Sequence, residues 1–231
     1  MTLAVAIDAK MREITVWTRG VTLAKEARDV ATLMAKAGSA EGLYVQSFDN
    51  YVDLPDRIGV ACRSYARLSP EPIETYYEYE NYHPDVVVIC EDTMVKGIDV
   101  LGGIKPGTVV IINTARDPQK LLNYLSPKAN LANVKAIATI DANAFGAGVL
   151  LTFDGTEGSG DDTTIGAGVG AAIAGAVAKA TGYVKLDSVV KVAVNKEAVK
   201  QGWDKVVVLP ICGGEAFSCG LPENPQEIKW K

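Results

Sequence analysis

Two uninterrupted β-branched runs, Val86-Val-Val-Ile-Cys90 and Thr108-Val-Val-Ile-Ile-Asn113, constrain this chain more than any other feature. A strand with one face in water alternates apolar and polar residues. A strand with no polar position in its middle has to be covered on both faces. Pro84-Asp85 introduces the first run and Gly107 leads into the second, so each begins at a breaker. Strands covered on both faces belong to parallel sheets, whose crossover helices supply the cover.

The rest of the chain alternates in the same way. Glu13–Thr18 reads as a first strand, a turn around Gly20 follows, and a helix runs from about Thr22 to Ala37 with Leu23, Ala27, Val30, Ala31 and Met34 on one face. Gly38 and Gly42 are expected to end that helix. Leu43–Phe48 reads as a second strand and 49–57 as a loop. Residues 59–68 read as a long, half-exposed strand in which Val60, Cys62, Tyr65 and Arg67 alternate with their neighbours. Asp117-Pro118 starts a short helix to about Leu125, and Lys135–Ile140 is a further strand. Phe153–Asp162 reads as an exposed loop. Helices are expected over 163–181 and 186–200, ended by Gly182 and Gly202. The fold class predicted is α/β: a mostly parallel sheet with helices on both faces, some antiparallel pairing and an irregular C-terminal arm. The division expected is one domain over 1–202 and an arm over 203–231.

Composition excludes several functions. The net charge is −5 and no Lys/Arg run exceeds two residues, which argues against nucleic acid and anionic membranes as partners. The longest apolar segment, Ile165–Ala178, is too short to span a bilayer, no signal peptide is visible, and a cytoplasmic protein is expected. With 22 glycines and 4 phenylalanines, the core is aliphatic. Cys62 and Cys90 read as core thiols, while Cys212 and Cys219 fit no standard metal or disulfide spacing. His83, the single histidine, precedes Pro84 and reads as a turn residue, so a Ser–His–Asp or Cys–His site lacks its parts.

The candidate site lies where the strands end, because open α/β sheets bind ligands beyond the carboxyl ends of their strands. Strand, turn and helix over Ile14–Ala24 have the frame of a phosphate cradle, in which helix N–H groups meet an anion. Thr18, Arg19 and Gly20 are the candidate binding residues there, although one glycine replaces the usual several. Arg19 reads either as a surface or inter-subunit residue or as a direct anion partner. Asn113, at the end of the second buried run, is a candidate to line the same crevice. Glu91-Asp92 reads as a solvated loop or helix cap, and Asp161-Asp162 suits a helix N-terminus by charge. Tyr76, Tyr77, Tyr79 and Tyr82 suit a subunit interface.

The order of pieces is specific. "GLYVQSF" is followed by "RLSPEPI", "HPDVVVICED", "LGGIKPGTVVIINT" and "GAAIAGAVAKATGYVKLDSVVKVAV". From about Ile14 to Lys200 this resembles the gamma subunit, or gamma domain, of the 2-oxoacid:ferredoxin oxidoreductases, the pyruvate synthase group. The resemblance implies one subunit of an oxidoreductase complex, inactive alone. Thiamine diphosphate with magnesium, and the iron–sulfur clusters, would be carried by alpha, beta and ferredoxin-like (delta) subunits, and electrons would pass to ferredoxin. The gamma piece would pack beside the active site and, in pyruvate enzymes, help bind coenzyme A.

One departure stands out. The family's first turn reads G-x-G-G-Q-G, whereas here Trp17 and Thr18 fall at glycine positions, Arg19 falls near the glutamine, and Gly20 matches the last glycine. Bulky and β-branched residues do not take up positive φ readily, so that turn cannot be copied. One reading is a member that needs no coenzyme A, resembling oxalate oxidoreductase, which leaves no acyl group to transfer. The alternative is a coenzyme A-dependent pyruvate or other 2-oxoacid enzyme with a remodelled loop. Readings of other classes are a non-catalytic structural scaffold and a stand-alone nucleotide-binding domain.

Overall fold

The computed structural model describes residues 10–50, 60–74, 78–125, 131–146 and 168–211. These form one seven-stranded sheet: β1 Arg12–Arg19, β2 Tyr44–Asn50, β3 Ala61–Ser69, β4 Val86–Ile89, β5 Thr108–Asn113, β6 Val134–Ile140 and β7 Val207–Pro210. The strand order is β2-β3-β1-β4-β5-β6-β7. β1, β4, β5 and β6 run parallel, β3 is antiparallel to both β1 and β2, and β7 is antiparallel to β6. Five of the seven strands therefore point one way, in line with the α/β, mostly parallel expectation.

The buried runs behave as their composition requires. Every residue of Val86–Ile89 and Thr108–Asn113 is buried. Val86, Val88, Val109 and Ile111 face one core, shared with helices α1 Gly20–Ala40, α4 Val169–Thr181, α5 Leu186–Val192 and α6 Lys196–Lys205. Val87, Ile89, Val110 and Ile112 face the other, covered by α2 Pro118–Leu125 and the short 3₁₀ helix Asp92–Lys96. The remaining helix, α3 Asn143–Gly146, is a single turn after β6.

Several local expectations are corrected. No turn separates β1 from α1: Arg19 is still extended (φ −127°, ψ 129°) and pairs with Ala61, and Gly20 is already helical. Gly38 lies inside α1, where an added Cβ would sit 2.7 Å from Leu68 Cδ2; the turn falls at Gly42, with φ +86°. β3 is not half-exposed. It runs between β2 and β1, and everything from Ser64 to Ser69 is buried, Arg67 included.

The helix expected over 186–200 is two helices, broken at Ala193–Asn195. Asn195 Oδ1 accepts the Ala198 N–H at 2.9 Å and so starts α6 as an N-cap. Gly202 is consequently inside α6, packed against the Ala172 carbonyl of α4. The stretch after 202 begins in regular structure: α6 continues to Lys205, and β7 closes the sheet against β6. Gly182 does end α4, in the left-handed conformation at φ +67°. Cys212, Cys219, Tyr76, Tyr77, Asp161, Asp162 and the 153–162 loop lie outside the described residues.

Candidate functional site

The chain leaves β1 toward β3 and β2 on one side and later resumes with β4 on the other. This switch of direction falls at the carboxyl ends of β1 and β4, the usual ligand position in an open α/β sheet. Two helix N-termini meet there. α1 begins at Gly20 with no side-chain cap and no acidic residue in its first turn, so its positive end is uncompensated by its own sequence. α4 begins at Val169, and its end is occupied: Glu26, from α1, accepts the Gly170 N–H at 2.6 Å.

The predicted residues separate on inspection. Thr18 is buried, 1% exposed, within the β1–β3 ladder opposite Cys62, and belongs to the sheet interior. Arg19 stands at the rim with its side chain 36% exposed, and its Nε is 3.9 Å from Glu91 Oε2. That Nε is buried and makes no hydrogen bond. Gly20 supplies the first helical residue of α1. Asn113 reaches the same edge two strands away, and its amide is engaged within the fold. Nδ2 donates to the Cys90 carbonyl at 3.1 Å and Oδ1 accepts the Ala142 N–H at 2.9 Å, tying together the ends of β4, β5 and β6.

Glu91 and Asp92 do more than face solvent. Glu91 accepts from Thr93 Oγ1 and pairs with Arg19, while Asp92 accepts from Thr114 Oγ1 at 2.8 Å and lies 3.4 Å from Arg116 Nε. The rim thus carries two ion pairs, Arg19–Glu91 and Asp92–Arg116, with the two acids adjacent and an arginine at each end. Burial pushes the Cys90 thiol well above its ordinary range, and the Glu26 carboxylate adds to the rise, which disfavours the thiolate. Burial also raises Glu26 itself, against the stabilising Gly170 N–H. His83 lies at the opposite end of the sheet, where its N–H donates to Glu13 Oε2 at 3.2 Å. Among the described residues, no group of three or more His, Cys, Asp or Glu is placed to hold a metal ion, and no helix is long and apolar enough to cross a membrane.

Two features escaped sequence reasoning. Glu26 looks like an ordinary exposed helix acid, and nothing in the local sequence ties it to a helix that begins more than 140 residues later. The other is the arginine pair of β3. Arg67, fully buried, donates from Nε to Asn81 Oδ1 (2.9 Å), from one terminal nitrogen to Gln46 Oε1 (3.2 Å) and from the other to the Glu80 carbonyl (2.7 Å). Arg63 forms a two-bond fork with Glu80, at 3.2 and 2.7 Å, and stacks over Trp17 at 5.0 Å. The signal present was the position of Arg67 at the head of "RLSPEPI".

Comparison with known proteins agrees with this architecture. Residues 29–207 match the family model for pyruvate ferredoxin/flavodoxin oxidoreductase. The pyruvate/ketoisovalerate oxidoreductases common subunit gamma of Thermococcus kodakarensis is 33% identical over 172 residues, covering 74% of this chain and 77% of that protein. The pyruvate synthase subunit PorC of Methanothermobacter marburgensis is 32% identical, over 70% of this chain and 75% of that one. Among solved structures, the pyruvate oxidoreductase subunit PORC of Thermotoga maritima superimposes with a TM-score of 0.61 at 21% identity, over 86% of this chain and 98% of that one. A 2-oxoglutarate:ferredoxin oxidoreductase from Magnetococcus marinus, solved with coenzyme A bound, shares the fold at a TM-score of 0.53 and 17% identity, over 85% of this chain and 31% of that one. The chain belongs to the pyruvate ferredoxin/flavodoxin oxidoreductase family and is of its gamma-subunit type.

Proposed function

We propose that this chain is the gamma subunit of a multi-subunit, thiamine diphosphate- and iron–sulfur-dependent 2-oxoacid:ferredoxin oxidoreductase that works without coenzyme A, with oxalate as its substrate and carbon dioxide as product. The observation that carries the reading is the junction of β1 and α1. A loop that wraps the phosphates of coenzyme A needs successive backbone N–H groups turned inward, which glycines permit. Here the ladder runs through Arg19 in extended conformation and the helix starts at the next residue, leaving no loop to wrap an anion. The residues present do not fit the diphosphate of coenzyme A at this position. Oxidation of oxalate yields two molecules of carbon dioxide and needs no thiol acceptor.

In this reading the chain holds no reacting group. It presents a rim of Arg19, Glu91, Asp92 and Arg116 beside an active site built by alpha and beta subunits, and a ferredoxin-like delta subunit carries electrons to ferredoxin. The test is dye reduction by the purified complex. Oxalate should reduce a viologen dye at the same rate with and without coenzyme A, and the isolated chain should reduce none. An absolute requirement for coenzyme A, or tight coenzyme A binding by the complex, overturns the oxalate reading. A monomeric chain that binds nicotinamide or flavin tightly overturns the subunit reading as well.

A further inference from the structure

The N-terminus of α4 is closed by a residue from another helix. α4 opens on Gly168, which has no side chain to cap it, and its first turn holds no acidic residue. A helix start is usually capped by a serine, threonine, aspartate or asparagine beside it in sequence. Here the partner is a carboxylate delivered from the second turn of α1, and Glu26 Oε2 accepts the Gly170 N–H at 2.6 Å. The glycines at the start of α4 are fitted to that carboxylate. A Cβ added at Gly168 would lie 3.0 Å from Glu26 Oε1, and one at Gly170 would lie 3.2 Å from Oε2 and 2.9 Å from the Asp29 Cβ. Glu26 is half-buried. Burial and the Asp29 carboxylate oppose its charge, and the Gly170 and Val169 N–H groups favour it.

The place matters as much as the bond. With no loop between β1 and α1, an anion reaching this edge of the sheet is left to the helix N-termini, and that of α4 already holds a negative group. The cations of the edge do not offset it. Arg19 pairs with Glu91, Arg116 with Asp92 and Lys25 with Asp29, so Glu26 is a fourth acid beside three bases. We propose that Glu26 is a specificity-determining residue: an internal anion that occupies the N-terminus of α4 and makes this edge of the sheet reject diphosphate-bearing ligands such as coenzyme A. The inference rests on the coenzyme A-free reading and gives it a second, separate cause. The extended β1–α1 junction removes the means of wrapping a phosphate. Glu26 takes the remaining N–H groups and repels a second negative charge, which would have to displace the carboxylate or lie against it.

The experiment uses the purified complex and reads anion affinity, which a purely structural cap would not move. Pyrophosphate and coenzyme A are titrated by calorimetry into the parent and into Glu26→Ala, Glu26→Gln and Glu26→Asp. Alanine removes both the charge and the side chain that fills the place. Glutamine removes the charge and keeps an acceptor for the Gly170 N–H, so it carries the test should the alanine variant fail to assemble. Aspartate keeps the charge. Glu26→Ala should bind both probes at least about tenfold more tightly than the parent, since a like charge has gone from beside them. Glu26→Gln should move in the same direction and Glu26→Asp should stay at the parent level. Unchanged affinity in the neutral variants, or an equal gain in Glu26→Asp, overturns the role of Glu26 and leaves the oxalate reading standing. That reading falls separately, on a requirement of the parent complex for coenzyme A in dye reduction.

Discussion

Arg67 is the bulkiest fully buried side chain among the described residues, and it is the hinge of one whole face of the molecule. A guanidinium placed in the interior has to have its N–H groups met, and Asn81, Gln46 and the Glu80 carbonyl meet them, with the Glu78 carboxylate 3.5 Å away and the Phe48 ring under the cation at 4.8 Å. Arg67→Met strands these acceptors and releases the strap, so unfolding free energy should fall by about 3–5 kcal/mol in urea titrations. Arg67→Lys should recover little of it, since an ammonium cannot span the same fork. The reverse case is the neighbouring cross-strand pair Thr15 and Tyr65, whose buried hydroxyls make no hydrogen bond. Burial, ahead of the opposing pull of Arg63, pushes the Tyr65 phenol up to about 12. Tyr65→Phe removes a desolvated hydroxyl whose one polar neighbour, Asn50, is outside good hydrogen-bond geometry, and should leave stability unchanged or raise it by up to about 1 kcal/mol. A loss above about 1 kcal/mol would show that the hydroxyl is engaged. Neither role was legible in the sequence. Alternation placed Arg67 and Tyr65 together on one face of a strand, but a second layer arriving from residues 78–82 is a tertiary fact that period-2 reading cannot contain.

Glycine decides how the helical layer packs. An added Cβ at Gly175 of α4 would lie 2.0 Å from the Val199 carbonyl oxygen, and one at Gly202 of α6 would lie 1.9 Å from that of Ala172. The two helices therefore approach backbone to backbone, each through the other's glycine. Gly175→Ala or Gly202→Ala has to separate them and should cost roughly 1–3 kcal/mol by thermal or urea unfolding. Gly97→Ala, with nothing within 4 Å and an ordinary φ of −115°, should be close to neutral. Equal behaviour of all three variants would contradict the packing account. The elements themselves were largely readable, and the misreadings share a cause. Gly38 and Gly202 read as helix stops because glycine often ends helices, yet here the missing Cβ serves contact with Leu68 and Ala172. The real stops carry the other signature of glycine, positive φ, at Gly42 and Gly182. The break at Asn195 carries a local signal, an N-cap residue two positions before an acid, inside a stretch whose apolar periodicity runs on across it.

Across the whole molecule, the motifs that carry the family resemblance turn out to be fastenings. "YVQSF" meets "RLSPEPI" through Gln46 and Arg67. The Asp85 of "HPDVVV" meets the Lys105 of "IKPGT" at 2.9 Å. The Asn113 of "IINT" bridges β4 to the end of β6. This is why the fold was legible from scattered motifs while the site was not. The fastenings lie inside one chain and close on each other, whereas the candidate residues at the ends of β1 and β4 have no such closed set of partners in the sequence. Two carboxylates at opposite ends of the sheet, Glu13 buried and Glu26 half-buried, give the fold a common pH response. Glu13, 5% exposed at the start of β1, and Glu26, under the N-terminus of α4, are both raised above the ordinary glutamate value of 4.5, in each case chiefly by burial. Lys105 and Arg67 oppose the rise at Glu13, and the Gly170 N–H opposes it at Glu26. Between 4.5 and the folded pKa, the folded state binds more protons than the unfolded one, so unfolding free energy falls as pH rises through that interval. Glu13→Gln and Glu26→Gln keep an acceptor for the His83 and Gly170 N–H groups and remove the ionisation. Each variant should therefore gain on the parent as pH rises from 4.5 toward neutrality. The two gains should add in the double variant, because the sites share no partner. Urea titrations at a series of pH values measure this directly, and a difference between variant and parent that stays flat with pH would show that neither carboxylate is held up by the fold.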